Sequence, residues 1–192
     1  MKKLSKFFYT IATVWVVLAS TILLILFCVV FLPQFSQQSI LYTNGAGLPD
    51  LKFSYTGSQL YSMAEAYGAA GRQYFINSHW TYDLVFPILY TFFLIVSISG
   101  LLRNRLPSSS GWTLLNLVPL IAFIFDLGEN AATSLVMLAY PRTNIVAQAF
   151  SPVFTPVKWI GVLASSLVLV FAIIQHFVHR NSSKVLEDLR KI

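Results

Sequence analysis

The chain is poor in charged residues and in cysteine, and each scarcity excludes a class of protein. Asp, Glu, Lys and Arg make up 10% of the 192 residues, whereas hydrophobic residues make up 56%. This balance excludes an ordinary soluble globule, in which about a quarter of the residues are charged. Cys28 is the single cysteine, so one chain can form neither an internal disulfide nor a cysteine-based metal site.

Short catalytic motifs are also missing. The sequence contains no HExxH, GxSxG, GxGxxG or P-loop pattern, so we do not expect a common zinc-dependent or serine-dependent hydrolase. His79, His176 and His179 lie outside the apolar runs or at their ends, and we expect them to lie far from the acids. The sequence identifies no cofactor and no metal ion.

The basic residues do not indicate nucleic acid as a partner. The net charge is +6, but Lys and Arg lie in small groups beside apolar runs and form no basic stripe. Such groups orient membrane helices, because positive charges near the ends of spans tend to stay in the cytoplasm. The lipid bilayer is therefore the partner that we expect.

Four apolar runs predict an all-α integral membrane protein. They cover residues 7–32, 82–102, 112–140 and 157–177, and each is long enough to cross roughly 30 Å of hydrocarbon. Short connections such as RLPSSSG favour an antiparallel bundle of four transmembrane helices. The basic residues predict that both termini are cytoplasmic, and we expect a bacterial-type inner or cytoplasmic membrane. The proposed inner side carries Lys2, Lys3, Lys6, Arg103, Arg105, Arg180, Lys184, Arg190 and Lys191, and the outer side carries Lys52, Arg72, Arg142 and Lys158.

Residues 33–81 are expected to form a partly helical extracytoplasmic segment between the first two spans. Its first half is rich in turn formers such as NGAG, and DLKFSY indicates a short strand. Thr56 and Ser58 are candidate caps for a helix in the second half. Apolar residues then recur at helical spacing and predict a packed face. They are Leu60, Met63, Tyr67, Ala70 and Tyr74.

Residues 180–192 are expected to form a cytoplasmic amphipathic tail. Their apolar residues recur at helical spacing, which predicts a short helix that lies either on the membrane surface or in solvent. These apolar residues are Val185, Leu186, Leu189 and Ile192.

The third run carries acidic residues where hydrocarbon disfavours them most. Asp126, Glu129, Asn130 and Thr133 are three and four positions apart, so they project from one face of a helix. A central acid in a membrane helix costs roughly 2.5 to 3.5 kcal/mol, and such groups usually face a bundle interior or a wet cavity. We therefore expect this face to point inward, and we expect the nearby Pro119 to bend the helix.

Polar residues of neighbouring helices are expected to line the same cavity. Asp83 and Tyr90 lie on the second helix, and Lys158 lies at the outer end of the fourth, so its side chain should lean toward Asp83 rather than Asp126. Arg72 lies near the outer mouth, where it is either solvated, paired with a lipid headgroup, or a bidentate clamp for an anion. These residues predict an acidic vestibule open to the outer face.

The acidic face also permits a structural role, in which protonated Asp126 or Glu129 bonds to neighbouring helices. Two acids within four residues exceed what packing needs, so a functional role is favoured. Expected partners in the structural role are Asn130, Thr133 and hydroxyls such as those of Ser97, Ser165 and Ser166.

Three functions fit the acidic face. The leading hypothesis is a binding or transport protein whose pocket takes up a cation, a proton or a small amphipathic ligand. The second is an enzyme that acts on an outer-leaflet lipid, with Glu129 or Asp126 as general acid or base. The third is an assembly subunit that forms a homo-oligomer or pairs its acids with a basic residue of a partner membrane subunit.

Overall fold

The computed structural model describes residues 1–103, 105 and 111–189, and it describes side chains as far as residue 178. Within these residues every regular element is helical. Four segments are long and apolar enough to cross a membrane, which agrees with the predicted number: Val14–Tyr42, Gly57–Leu102, Gly111–Ala139 and Ile145–Val178. The helices are α1 (Lys2–Ile11), α2 (Val14–Leu26), α3 (Leu32–Tyr42), α4 (Gly57–His79), α5 (Tyr82–Leu102), α6 (Pro119–Ala139) and α7 (Ile145–Leu189).

The first apolar run forms more than the single helix predicted over 7–32. The chain breaks after α1, and α2 begins where the Thr13 hydroxyl accepts a hydrogen bond from the backbone N–H of Val16 at 3.4 Å, which caps a new helix. A π-helical turn, Phe27–Phe31, then leads into α3. Pro33 does not end the helix; it lies in the first turn of α3, directly after the π-helical turn.

A polar network attaches α1 to the rest of the protein. The buried Ser5 hydroxyl lies 2.7 Å from the carbonyl oxygen of Thr113 and 2.8 Å from Asn116 Oδ1. Asn116 also donates through Nδ2 to the Ser99 hydroxyl at 2.9 Å. Because Asn116 belongs to the 3-10 turn Gly111–Leu117, this network joins α1 to α5 and to the approach of α6.

The segment between α3 and α4 contains no strand among the described residues. The predicted strand DLKFSY is replaced by a 3-10 turn, Pro49–Leu51, and by an irregular stretch in which Phe53 is exposed. The predicted cap of α4 is present at Thr56. Its hydroxyl accepts from the Gln59 N–H at 3.2 Å, and the Gln59 side chain accepts from the Thr56 N–H at 2.9 Å, which together form a capping box.

The apolar face of α4 changes register at Gly68. This residue has φ 65° and ψ −177°, a conformation that glycine adopts readily and other residues avoid. Tyr67, before the kink, is buried as the predicted stripe requires, but Ala70 is exposed and Phe75 is buried instead. The kink thereby brings Phe75 and His79 into the interior.

α5 has the predicted bounds, but α6 and α7 begin elsewhere than predicted. α6 begins at Pro119, because residues 111–117 form the 3-10 turn. Pro119 occupies the first turn, so it starts α6 and does not bend it. α7 begins at Ile145, well before the expected start at position 157. Two prolines lie inside α7, Pro152 and Pro156.

Two predictions fall wholly or partly outside the described residues. The connection RLPSSSG lies there except for Arg105 and Gly111. The side chains of the predicted tail, 180–192, also lie there, although the backbone of α7 continues as one helix to Leu189.

α6 and α7 pack closely, and their contact positions the acidic face. A Cβ added to Gly161 would lie 2.9 Å from the backbone nitrogen of Ala122, so the two helix backbones can approach only because Gly161 has no side chain. Gly128 faces the ring of Phe154, whose nearest carbons would lie 3.3 Å from an added Cβ. These contacts hold the acidic face of α6 near the middle of α7.

Candidate functional site

The two acids of α6 are paired with a lysine of α7. Lys158 Nζ lies 2.5 Å from Glu129 Oε2 and 3.3 Å from Asp126 Oδ1. All three side chains are buried, with no more than 8% of any of them exposed. Lys158 is therefore the counterion of both carboxylates. The prediction that it would lean toward Asp83 and away from Asp126 is wrong.

The depth of Lys158 within α7 explains this pairing. A helix that began at position 157 would place Lys158 at its end, but α7 begins at Ile145. Lys158 therefore lies as far from the start of α7 as Asp126 lies from the end of α6 at Ala139. At a rise of about 1.5 Å per residue, both lie about 20 Å from the turn that joins the two helices. Equal depth brings the ammonium and carboxylate groups together.

Hydroxyl groups provide further partners for the same carboxylates. Thr155 Oγ1 is hydrogen-bonded to Glu129 Oε1 at 2.5 Å and to the Tyr55 hydroxyl at 3.1 Å. The Tyr90 hydroxyl donates to Asp126 Oδ2 at 3.2 Å. Burial and the nearby charge of Glu129 raise the pKa of the Tyr55 phenol, so this phenol stays protonated. Of these hydroxyls, only that of Tyr90 was expected at the site.

The serines that were expected as partners bond elsewhere. Ser165 and Ser166 donate to the carbonyl oxygens of Gly161 and Val162, one turn earlier in their own helix. The Ser97 hydroxyl is buried without a hydrogen-bond partner among the described residues. The rotation of α5 and α7 about their axes determines which hydroxyls contact the carboxylates. This rotation cannot be predicted from the sequence of either helix alone.

Asn130 and Thr133 are fully buried on the same face of α6. Asn130 Nδ2 donates to the backbone carbonyl oxygen of Asp83 at 3.3 Å. The Thr133 hydroxyl donates to the backbone carbonyl oxygen of Glu129 at 2.8 Å. Asn130 thus joins α6 to the start of α5, whereas the Thr133 hydroxyl has its hydrogen-bond acceptor within α6.

A second group of ionisable side chains lies where α4 meets α5. His79 Nε2 lies 3.5 Å from Asp50 Oδ1 and 3.6 Å from Asp83 Oδ2. The imidazole is fully buried and stacks on the Phe75 ring, with 3.7 Å between centroids. His79 therefore belongs to the acidic interior, and the expectation that it lies far from the acids is wrong.

Sequence reasoning does not identify Asp50 and His79 as site residues. Asp50 follows Pro49 in a turn, a position where aspartate usually bonds to its own backbone or to water. His79 precedes Asp83 by four residues, and this spacing places two side chains on one face of a helix. That spacing is the signal that the sequence offers. For Asp50 the local pattern indicates a turn and nothing more.

Electrostatic interactions join the two groups of side chains. The charge of Lys158 acts on Asp50 and Asp83 as well as on Asp126 and Glu129. Burial by itself would raise the pKa of the Asp50 carboxyl, but its interactions with His79 and Lys158 lower that pKa below the ordinary value. We call these six residues the charged cluster: Asp50, His79, Asp83, Asp126, Glu129 and Lys158.

Arg72 contacts groups other than the carboxylates of the charged cluster. Its guanidinium donates to the backbone carbonyl oxygen of Ala64 at 2.9 Å. It also lies over the Tyr140 ring, 4.5 Å from the centroid, in the geometry of a cation–π contact. Arg72 thus links α4, beside the Gly68 kink, to the end of α6.

The charged cluster is enclosed in this structure. Glu129 is 0% exposed and Asp126 is 4% exposed, so the carboxylates expected in an open vestibule face the interior. Asp83 has the most exposed side chain of the cluster, at 16%. A cavity beside α6 and α7 has a mainly apolar lining instead, which includes Gly128, Leu135, Phe150 and Phe154.

Together these features define an all-helical protein with four helices able to span a membrane and a buried cluster of acids and bases. Comparison with known protein families, with curated proteins and with solved structures gives no match. The charged cluster is therefore the feature of the molecule that indicates a function.

Proposed function

We propose that this protein is a membrane binding or transport protein whose charged cluster takes up a cation or protons. The charge balance of the cluster supports the proposal. Its four carboxyl groups face only two bases, Lys158 and His79. Even with His79 protonated, two negative charges lack a counterion among the residues that the structure describes. A buried charge without a partner is strongly unfavourable, so a bound cation or bound protons would restore the balance.

The proposed membrane arrangement is an antiparallel bundle with both termini in the cytoplasm of a bacterial-type cell. The four apolar helices and the excess of basic residues near the termini and after α5 support it. In this arrangement the junction of α4 and α5 lies at the outer face. Asp83, the most exposed side chain of the cluster, would then be the point of exchange with the outside.

The other functions receive less support from the geometry. An enzyme that acts on outer-leaflet lipid needs Glu129 or Asp126 to reach its substrate, but both carboxylates face Lys158 in a closed interior. An assembly subunit needs acids without a base, but Lys158 supplies the base within the same chain. A small amphipathic ligand needs an open polar pocket, and the cavity beside Gly128 is mainly apolar.

Thermal unfolding in detergent micelles, measured over a series of pH values and added cations, tests the proposal. We expect the midpoint of the wild-type protein to rise with one of the cations or to depend strongly on pH. Asp126→Asn and Glu129→Gln, tested separately, should weaken that dependence because each removes an ionisable carboxyl from the cluster. Glu65→Gln is the matched control, since Glu65 is an exposed carboxyl on α4. The proposal is wrong if both cluster variants respond like the wild type.

A further inference from the structure

The three side chains where α4 meets α5 have the composition of a metal site. Asp50, His79 and Asp83 each offer one ligand atom, and the three atoms lie within 4.8 Å of one another. We infer that these residues bind a divalent transition-metal ion of the zinc type. This inference rests on the proposed function, because it names the cation and its place within the charged cluster.

The orientation of His79 suits a metal ligand. Its Nδ1 lies 2.9 Å from the backbone carbonyl oxygen of Phe75, so Nδ1 carries the proton and donates it. In neutral imidazole this leaves the lone pair on Nε2, which is the atom that faces Asp50 and Asp83. Histidines that bind metals commonly donate their other ring N–H to a backbone carbonyl in this way. The stacked Phe75 ring further fixes the imidazole plane.

The distances fit coordination better than direct hydrogen bonding. A charge-assisted N–H···O bond would bring nitrogen and oxygen to about 2.7–2.9 Å, but Nε2 lies 3.5 Å from Asp50 Oδ1 and 3.6 Å from Asp83 Oδ2. Two ligand atoms that each lie about 2.0–2.2 Å from a tetrahedral zinc ion are separated by about 3.4 Å. The observed separations are close to this value.

The same three atoms are otherwise unsatisfied. Asp50 Oδ1, His79 Nε2 and Asp83 Oδ2 are buried and have no hydrogen-bond partner among the described residues. Asp50 is 6% exposed and His79 is 0% exposed. Buried polar atoms almost always have a bonding partner. Three such atoms directed at one another therefore indicate a single partner that all three share. A metal ion would satisfy all three at once.

The ligand set and the charge balance indicate which kind of ion would bind. Imidazole nitrogen favours zinc and related transition metals, whereas calcium and magnesium prefer oxygen ligands throughout. Three protein ligands leave a fourth tetrahedral position for water, which could enter past the partly exposed Asp83. With His79 bound as neutral imidazole, the four carboxylates and Lys158 leave three negative charges, and a dication would offset two of them.

Metal analysis of the purified full-length protein tests the inference. The protein is purified through a tag without histidine, stripped with a chelator and dialysed against zinc, and bound metal is counted by mass spectrometry. Cobalt serves as a second probe, because its visible spectrum reports the coordination geometry. We expect one ion per chain, with affinity lowered at least about tenfold in His79→Gln and in Asp50→Asn, since even changes to groups that support a ligand cost about 10–100-fold.

Matched controls separate loss of a ligand from loss of the fold. His176→Gln removes another histidine, in α7, and Glu65→Gln removes an exposed carboxyl, and both should bind metal like the wild type. If His79→Gln loses its helical circular dichroism, Asp83→Asn provides the second test, because the Asp83 side chain is 16% exposed and its replacement should be tolerated.

The outcomes distinguish the inference from the proposed function. Metal binding that is weakened by the folded His79 or Asp83 variant supports both. Metal binding that those variants leave unchanged, while Asp126→Asn or Glu129→Gln abolishes it, overturns the inference and supports the function. If the unfolding midpoint depends on pH or on a monovalent cation but zinc does not bind, the inference is likewise overturned and the function is supported. If zinc does not bind and the responses that depend on Asp126 and Glu129 are also missing, both are wrong.

Discussion

Replacing Lys158 with methionine removes the base that lies between Asp126 and Glu129. Methionine has similar length and fits an apolar interior, so the main effect should be electrostatic. Removing one partner of a buried ion pair costs about 3–5 kcal/mol, because the remaining charge stays buried without compensation. Here two carboxylates lose their counterion, although Thr155 and Tyr90 still bond to them. We therefore expect a loss of about 3–5 kcal/mol in the free energy of unfolding.

Reversible unfolding in mixed detergent micelles would measure this change. Lys52→Met is the matched control, because Lys52 is exposed and exposed ion pairs contribute about 0–1 kcal/mol. The double variant Lys158→Met with Glu129→Gln should be more stable than Lys158→Met alone, since it removes one of the uncompensated carboxylates. If Lys158→Met were as stable as Lys52→Met, or if the double variant gained nothing, the lysine would not be the counterion of the buried acids.

Two further substitutions test the packing that positions the cluster. Gly161→Ala should cost about 1–3 kcal/mol in chemical unfolding, because the added Cβ would meet the Ala122 backbone at 2.9 Å; Gly111→Ala, where nothing lies within 4 Å of the added Cβ, should be neutral. Asn116→Ala should cost a similar amount, about 1–3 kcal/mol, because it removes the buried hydrogen bonds that join Asn116 to Ser5 and to Ser99. It should also expose α1 to protease, and unchanged cleavage would contradict the proposed attachment.

Hydropathy and helical spacing predicted the coarse fold. Long apolar runs need their backbone hydrogen bonds satisfied within the segment, so the number of long apolar helices could be counted from the sequence. Capping chemistry is equally local, and of the two candidate caps, Thr56 and Ser58, it is Thr56 that caps α4. The boundaries of α3 and α7 were harder to predict. Pro33 resembles a helix end, but the helix continues past it. Asn144 caps α7, since its side-chain oxygen accepts from the Ala147 N–H at 3.0 Å, but a cap residue of this type is also common in loops.

The inward direction of the acidic face could also be argued from the sequence. Asp126 and Glu129 share one face of a helix, and hydrocarbon strongly disfavours carboxylates, which agrees with their burial in the structure. The identity of their partner was not predictable in this way. Lys158 reaches them because α7 begins much earlier than expected, at Ile145, and because Gly161 lets the two helices pack closely.

The sequence by itself determined the apolar character of the chain, its helical content and the face of α6 that carries the acids. These properties depend on neighbouring residues and on the free energy of placing them in water or hydrocarbon. Only the tertiary structure decided that Lys158 meets Asp126 and Glu129, and that Asp50 and His79 join Asp83. Such contacts depend on the depth and rotation of helices that are distant in the chain. Depth and rotation are set by the packing of all the helices together.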